Sequence, residues 1–229
     1  GKIQAYYGTD TKKLYLGDCL ELLRKMKPES VDMIFADPPY FLSNNGITCQ
    51  GGRMVSVNKA SWDEGGDFKE NHAFNRRWIR MCRRVLKPGG TIWISGTLHN
   101  IYSIGMALQQ ERYKIINNIT WKKTNPPPNL ACRCFTHSTE TILWARKDEK
   151  KARHLFNYEQ MKQPEYLLER IILASTKKGD VVLDPFCGSG TTGVVSGKYG
   201  RQFIGIDNNE EYLDIAKRRL DQIQEALEW

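Results

Sequence analysis

Four consecutive residues combine a carboxylate, two prolines and an aromatic ring directly after an apolar run. Asp37, Pro38, Pro39 and Tyr40 follow Val31–Ala36, which has the composition of a buried strand. Proline fixes its own φ and has no N–H to donate, so the two prolines stiffen the turn. A carboxylate can accept hydrogen bonds from an amino group, and a tyrosine ring can stack on a flat base. The motif therefore indicates a pocket for an amino group on a planar ring, with an ordinary surface turn as the alternative.

A second motif joins a strand, a glycine-rich turn and the start of a helix over Val181–Gly193. Gly188, Gly190 and Gly193 match the spacing G-x-G-x-x-G, and Asp207 ends the next apolar run nineteen positions after Gly188. This spacing is typical of nicotinamide dinucleotide sites, where the N–H groups of a helix N-terminus bind the pyrophosphate. A second interpretation is a site for S-adenosylmethionine, and a third is a structural turn that binds no ligand.

The acids around the glycine turn distinguish the two ligands. S-adenosylmethionine carries a sulfonium, an ammonium, a carboxylate and an adenosine but no phosphate, so its site needs acidic side chains. Asp184, just before the glycines, suits the ammonium, and Asp207 suits the ribose hydroxyls. A nicotinamide dehydrogenase gives no account of the Asp-Pro-Pro-Tyr motif, and S-adenosylmethionine is therefore favoured.

Together, the two motifs and their order resemble the β-class DNA amino-methyltransferases of bacterial restriction–modification systems and related modification enzymes. In that family an Asp-Pro-Pro-Tyr motif precedes an Asp-Pro-Phe-x-Gly-Ser-Gly-Thr-Thr turn, as it does here at Asp37–Tyr40 and Asp184–Thr192. Three further segments match the family and extend the resemblance over nearly the whole chain: Leu16–Cys19, Val85–Gly90 and Pro164–Ile172. The motifs are most similar to those of the adenine modification enzymes that accompany GATC-cutting nucleases.

The resemblance implies a DNA methyltransferase that transfers a methyl group from S-adenosyl-L-methionine to the exocyclic N6 of a flipped-out adenine. It assigns the base to Asp37, Pro38, Pro39 and Tyr40. It assigns the cofactor to a longer set of residues, namely Asp18, Cys19, Asp37, Asp184, Phe186, Gly188, Ser189, Gly190, Thr191, Thr192 and Asp207. No metal is implied.

The identity of the target base depends on the first residue of the motif. Cytosine-N4 enzymes of the family frequently have Ser-Pro-Pro-Tyr, so Asp37 favours adenine and leaves cytosine-N4 methylation as the alternative. Cytosine-C5 methylation is disfavoured, because no cysteine directly follows a proline, the setting expected of its covalent nucleophile.

One segment is shorter than the family pattern. Family members usually carry a longer stretch before the helix that begins near Pro164, including a His-Pro-Thr-Gln-Lys-Pro-like segment close to the cofactor. Here Met161, Lys162 and Gln163 lead directly into Pro164, without such a segment. Gln163 is the candidate cofactor contact that remains in this segment.

The charge of the chain suits a polyanionic partner. The net charge is +8 and the sequence pI is about 9.1. A non-catalytic DNA-binding module is the alternative that charge alone would favour. Candidate DNA contacts are basic residues in or beside irregular segments, each with a solvated surface charge as its alternative: Arg53, Lys59, Lys122, Lys123, Arg133, Arg146, Lys147 and Arg153.

Apolar, β-rich runs alternate with amphipathic runs along the chain, which predicts an α/β fold. The predicted strands are Lys13–Gly17, Val31–Ala36, Thr91–Ser95, Lys114–Trp121, Thr141–Ala145, Val181–Leu183 and Phe203–Ile206. The predicted helices are Asp18–Met26, Asn71–Leu86, Asn100–Glu111, Pro164–Thr176, Thr191–Tyr199 and Asn209–Ala226. We expect a mostly parallel sheet flanked by helices on both faces, as in Rossmann-like S-adenosylmethionine-dependent methyltransferases, with a permuted motif order.

The length of 229 residues, 40% of them hydrophobic, predicts a single catalytic domain over 1–229, with irregular DNA-recognition segments at about 41–67 and 122–163. No run approaches the roughly 20 apolar residues of a membrane span, and no signal-peptide pattern is present, so a bacterial cytoplasmic location is expected. Cys132, Cys134 and His137 have no fourth zinc ligand nearby in sequence, so ordinary thiols are favoured. The family resemblance adds the expectation of a homodimer.

Overall fold

The computed structural model describes residues 4–39, 47–50, 53–56, 67–124, 138–147 and 152–227. Its strands are β1 (Tyr7–Gly8), β2 (Lys12–Leu16), β3 (Val31–Ala36), β4 (Ile47–Gln50), β5 (Arg53–Ser56), β6 (Leu86–Gly96), β7 (Tyr113–Lys122), β8 (Thr139–Lys147), β9 (Val181–Asp184) and β10 (Gln202–Asp207). Eight of them form one sheet in the order β1-β2-β10-β9-β3-β6-β8-β7, and β4 and β5 form a separate antiparallel hairpin.

Helices cover both faces of the sheet. They are α1 (Cys19–Lys25), α2 (Asp67–Val85), α3 (Ile101–Gln110), α4 (Tyr158–Lys162), α5 (Leu167–Ser175), α6 (Thr191–Lys198) and α7 (Glu210–Leu227). Apolar side chains of α1, α2 and α3 pack on one face, and those of α5, α6 and α7 pack on the other. The central strand β3 needs helices on both faces of the sheet, because Ile34 packs in the core on one face and Met33 in the core on the other. Both side chains are fully buried.

Five neighbouring strands, β2, β10, β9, β3 and β6, run parallel, so their carboxyl ends lie along one edge of the sheet. We call this the carboxyl edge and the opposite one the amino edge. The direction of the crossovers reverses between β9 and β3, and a reversal of this kind opens a crevice at the carboxyl edge, where open α/β sheets bind ligands. Strand β8 runs antiparallel and carries the chain back to the amino edge.

The predicted fold class is confirmed, and each predicted strand and helix is present. The largest difference is in β6, which begins at Leu86 instead of Thr91. Val31 and Met33 of β3 pair with Leu86 and Thr91, so residues 87–90, which lie before the predicted strand, form a bulge within β6. The segments predicted to be irregular contain the β4–β5 hairpin and the short helix α4. Within the described ranges, none of the helices has the length and apolar character to cross a membrane.

Candidate active site

Four adjacent parallel strands each lead into an aspartate at the carboxyl edge. Asp18 lies just after β2, Asp207 ends β10, Asp184 ends β9, and Asp37 directly follows β3. The backbone N–H of Gly17 donates to the Asp207 carbonyl at 3.0 Å, which keeps the ends of β2 and β10 together. Since neighbouring strands lie about 4.8 Å apart, the four side chains form an acidic row roughly 15 Å long.

Asp184 is the buried member of this row, with only 3% of its surface exposed. Burial, and to a smaller extent the charges on Asp37 and Asp207, raise the pKa of its carboxyl group to about 7, against hydrogen bonds that lower the pKa. Those bonds come from the Thr192 hydroxyl at 2.6 Å and the Phe186 N–H at 3.0 Å. Asp184 therefore ties the end of β9 to the start of α6, and its charge depends on pH near neutrality.

The three glycines of the turn have different structural roles. Gly190 has φ +80°, and a Cβ there would lie 2.7 Å from the Cβ of Ala216 on α7. A Cβ at Gly193 would lie 2.5 Å from the ring of Phe203 on β10. Gly188, with φ +49°, has open space where its Cβ would be. Helix and strand packing therefore accounts for the second and third glycines, and only the first faces space that a ligand can fill.

The backbone donors of the turn are largely used within the protein. The Gly188 N–H donates to Asp207 Oδ2 at 2.8 Å, and the Cys187 N–H donates to the Ile206 carbonyl at 2.9 Å. The Gly190 N–H donates to the Cys187 carbonyl at 2.9 Å, which closes the turn on itself. A pyrophosphate needs bare N–H groups, and here the donors of Cys187, Gly188 and Gly190 are paired beside a row of carboxylates. The site therefore favours a cationic ligand over a dinucleotide.

Asp207 holds the turn in shape through both of its carboxylate oxygens. Oδ2 accepts from Gly188, and Oδ1 accepts from the Asn209 N–H at 2.9 Å. Each carboxylate oxygen has two lone pairs, so Asp207 retains capacity for the hydroxyl groups of a ribose. The carboxylate is half-buried at the end of β10, where a ligand over Gly188 would meet it.

Three further residues predicted to bind the cofactor have structural contacts. Asp18 caps α1, because its Oδ1 accepts from the Glu21 N–H at 3.0 Å. Burial raises the pKa of the Cys19 thiol to about 12, so this residue is a neutral member of the core. The Phe186 ring packs edge-on against Trp78 of α2, with 5.3 Å between ring centroids.

Arg219 is a turn contact that no sequence motif indicates. Its guanidinium on α7 donates to the carbonyl of Ser189 at 2.9 Å, and to the hydroxyls of Ser189 and Thr191 at 3.1 Å each. The exposed side of the glycine turn is thereby fixed to α7. Arg219 lies 30 residues from Ser189 along the chain, and no spacing rule links the two positions.

The Asp-Pro-Pro motif begins where β3 ends. Asp37 is exposed, Pro38 is buried and Pro39 is exposed. Asp37 Oδ1 accepts from the hydroxyl of Ser95 on the neighbouring strand β6 at 2.7 Å. Tyr40 lies outside the described residues, as do Lys59, Arg133, Cys132, Cys134 and His137. The side chain of Arg53, on β5, is not described either.

Two of the candidate DNA contacts lie near the carboxyl edge. Lys122 ends β7, where it pairs with Thr139, and its side chain is exposed. The Lys123 ammonium lies 2.5 Å from the Glu140 carboxylate, which neutralises part of its charge. Lys122 is therefore the better placed of the two for a phosphate contact.

Three other candidates lie at the amino edge, because β8 runs antiparallel and ends there. Arg146 pairs with Thr91, about 13 Å along the strand from the level of Asp37, and the Arg153 carbonyl lies against Gly89. Lys147 is only 4% exposed, and its ammonium donates to the Leu86 carbonyl at 3.0 Å and to Glu29 at 3.1 Å. This corrects the prediction for Lys147, since a buried, paired ammonium cannot reach a phosphate.

The parallel sheet and the acid-lined carboxyl edge define an α/β methyltransferase with a cationic cofactor. The DNA methylase family model matches residues 31–165 and 160–218, so the chain belongs to the DNA methylase family, which is S-adenosylmethionine-dependent. The two matched parts overlap at residues 160–165. The chain is 58% identical to the type II methyltransferase M2.DpnII of Streptococcus pneumoniae, over 96% of this chain and 94% of that one.

Other relatives and solved structures agree with this assignment. The type II methyltransferase M2.MboI of Moraxella bovis is 43% identical, over 99% of this chain and 94% of the relative. The structure of the M1.HpyAVI–SAM complex has a TM-score of 0.66 at 29% identity, covering 92% of this chain and all of that one. PvuII DNA methyltransferase, described as cytosine-N4-specific, has a TM-score of 0.75 at 18% identity, covering 96% and 93% of the two chains, and shows the shared fold alone.

Proposed function

We propose that this chain is a site-specific adenine-N6 DNA methyltransferase of a restriction–modification system, with a GATC-like target. The observation that carries the proposal is the exposed Asp37 carboxylate, held by Ser95 at the carboxyl edge and followed by Pro38 and Pro39. The family includes both adenine-N6 and cytosine-N4 enzymes. Because its cytosine-N4 members frequently have serine at the first position of the motif, Asp37 supports adenine as the target. The type II relatives support the restriction–modification setting, and the resemblance to GATC modification enzymes supports the target.

The residues of the carboxyl edge suit S-adenosylmethionine, which supplies an electrophilic methyl group on a sulfonium when bound. We assign the open face of Gly188 and the exposed parts of Ser189 and Thr191 to the amino-acid portion of the cofactor. Asp207 and Asp18, on neighbouring strands, are assigned to the adenosine. Asp184 acts beneath them by fixing the turn through Thr192 and Phe186, and it adds negative charge when ionised. Gly190 and Arg219 hold the turn against α7.

Asp37 addresses the main chemical difficulty of the reaction. An exocyclic amine is a poor nucleophile, because its lone pair is delocalised into the ring. We assign to Asp37 the acceptance of a hydrogen bond from N6–H, and to the Pro38 carbonyl the acceptance of a second. These bonds favour a more tetrahedral nitrogen whose lone pair would be available to attack the sulfonium methyl. The methyl–sulfur bond would break as the methyl–nitrogen bond forms, S-adenosylhomocysteine would leave, and the amine would lose its extra proton to solvent. Fixed geometry between amine and methyl group supplies at most about 7–11 kcal/mol of the barrier reduction. Tyr40 is assigned to stacking on the flipped base.

The DNA-recognition segments remain proposals at about 41–67 and 122–163 of a single domain. The β4–β5 hairpin lies in the first segment, and the exposed Lys122 begins the second. A contact between a lysine such as Lys122 and a phosphate fixes the position of the DNA backbone. Base specificity requires further contacts to base edges. Arg146 and Arg153 lie at the amino edge, so we assign them no contact with the DNA that surrounds the target base.

The direct test is product analysis. Purified protein is incubated with S-adenosylmethionine and unmethylated plasmid, and the DNA is digested to nucleosides for mass spectrometry. We expect N6-methyladenine from the wild type and none from Asp37→Ala. Formation of N4-methylcytosine would move the enzyme to the alternative specificity and reject the adenine assignment. Sequencing of the modified plasmid then locates the target, and methylation outside GATC-like sites would reject that part of the proposal.

A further inference from the structure

Ser95 lies beside Asp37, yet neither sequence motif includes it. The parallel pairing of Ala36 with Ile94 places the next residues, Asp37 and Ser95, side by side at the carboxyl edge. The Ser95 hydroxyl donates to Asp37 Oδ1 at 2.7 Å, within the range of hydrogen bonds from a hydroxyl to a carboxylate. Only 8% of Ser95 is exposed, so water competes little for its hydroxyl.

The two ends of this hydrogen bond differ in rigidity. Ser95 lies inside β6, which pairs with β3 on one side and with β8 on the other, where Ser95 faces Ile142. Asp37 lies beyond the last residue of β3 and is exposed at the start of the proline turn. An exposed aspartate ordinarily samples several rotamers, and a partner fixed in the sheet restricts that sampling. The contact therefore ties the carboxylate to a fixed point of the fold.

We propose that Ser95 is a positioning residue for methyl transfer, because its hydroxyl orients the Asp37 carboxylate toward the amino group of the target base. The inference rests on the proposed role of Asp37. Strand β6 borders β3 on the side away from β9 and β10, so the glycine turn and Asp207 do not depend on Ser95. Loss of the hydroxyl should therefore slow the chemical step without weakening cofactor binding.

The test compares three variants of the full chain. Ser95→Ala removes the hydroxyl, and Ser95→Thr keeps it on a residue type that suits a strand. The matched control is Thr91→Val on the same strand, at the amino edge, where the buried Thr91 hydroxyl has no hydrogen-bond partner among the described residues. Single-turnover methylation of duplex DNA measures the chemical step, and calorimetry with S-adenosylmethionine measures cofactor affinity.

We expect Ser95→Ala to lower the single-turnover rate about 10-fold to 100-fold, the size of effect that misplacement of a reacting group produces. Cofactor affinity should stay unchanged, Ser95→Thr should restore most of the rate, and Thr91→Val should match the wild type. A wild-type rate in Ser95→Ala overturns the inference. So does a rate loss that Thr does not restore, or one accompanied by weaker cofactor binding, since either result indicates general damage to the fold.

Asp37→Ala separates this inference from the proposed function. If Asp37→Ala abolishes methylation while Ser95→Ala is fully active, the role of Asp37 stands and only the role of Ser95 fails. If Asp37→Ala is fully active, the proposed function of the motif fails first, and Ser95 has no catalytic group to position. The two failures therefore give different patterns in the same assay.

Discussion

The buried carboxyl group of Asp184 predicts that cofactor binding strengthens as pH rises through neutrality. Burial, together with the charges on Asp37 and Asp207, raises its pKa to about 7. A cationic ligand at the carboxyl edge favours the ionised form, so binding should release the proton that unliganded Asp184 carries at lower pH. Affinity for S-adenosylmethionine should therefore be lower on the acid side of neutrality.

The magnitude follows from the pKa of Asp184. With a pKa of about 7, roughly 90% of the unliganded protein carries the proton at about pH 6, and roughly 10% carries it at about pH 8. Apparent affinity scales with the fraction of protein in the binding form, so the dissociation constant should fall about tenfold across this range. The unliganded fold should show the opposite trend. Folding raises the pKa of Asp184 from 3.8 to about 7, so the free energy of unfolding should decrease as pH rises from about 4 to about 7.

Calorimetry in two buffers with different ionisation enthalpies measures both the affinity and the protons released. The matched control is Asp184→Asn, which keeps the size of the side chain and an oxygen for the Phe186 N–H but cannot titrate. Its affinity should vary less with pH, and the difference from the wild type isolates Asp184 from the ionisable groups of the cofactor. A pH-independent affinity in the wild type, or an equal dependence in Asp184→Asn, refutes the reasoning.

Four other variants test separate parts of the site. Asp37→Ala should nearly abolish methyl transfer and leave cofactor binding detectable by calorimetry, whereas wild-type turnover would reject its assignment. Asp207→Ala should raise the dissociation constant for S-adenosylmethionine about 10-fold to 100-fold through the loss of charged hydrogen bonds; unchanged affinity in a folded variant contradicts the ribose assignment. Gly190→Ala should destabilise the fold by about 1–3 kcal/mol in urea denaturation, because its Cβ would lie 2.7 Å from that of Ala216. Stability equal to the wild type would show that α7 can move away without cost, against this prediction. Lys122→Ala should reduce the salt dependence of DNA binding by about one phosphate contact, and an unchanged slope removes it from the interface.

The main frame of the site could be predicted from the sequence, because each motif lies next to a clear strand. Apolar runs ending at Ala36, Leu183 and Ile206 predict parallel strands, and parallel strands bring their carboxyl ends, with the aspartates that follow them, to one edge. The acidic row is a consequence of that rule.

Contacts between distant segments could not be predicted, because they depend on register and strand direction. Ser95 meets Asp37 only through the pairing of β3 with β6, 58 residues apart along the chain. Arg219 meets the glycine turn through the packing of α7. The error at Lys147 arose because hydropathy gives no direction to β8, and the reversed strand takes this lysine to the amino edge, where it is buried.

The acid directly before the glycine turn has a consequence for sequence searches. The glycine spacing of this turn is shared with dinucleotide enzymes because both need close packing of a helix on a strand, as Gly193 shows against Phe203. An acid that ends the next strand, such as Asp207, suits the ribose of either cofactor, so it does not separate the two classes. Asp184 adds a buried carboxylate beneath the turn, where a phosphate would be repelled and a cation attracted. A search that scores the glycines alone therefore pools enzymes whose cofactors carry opposite charge, and a search that also scores an acid before the first glycine can separate them.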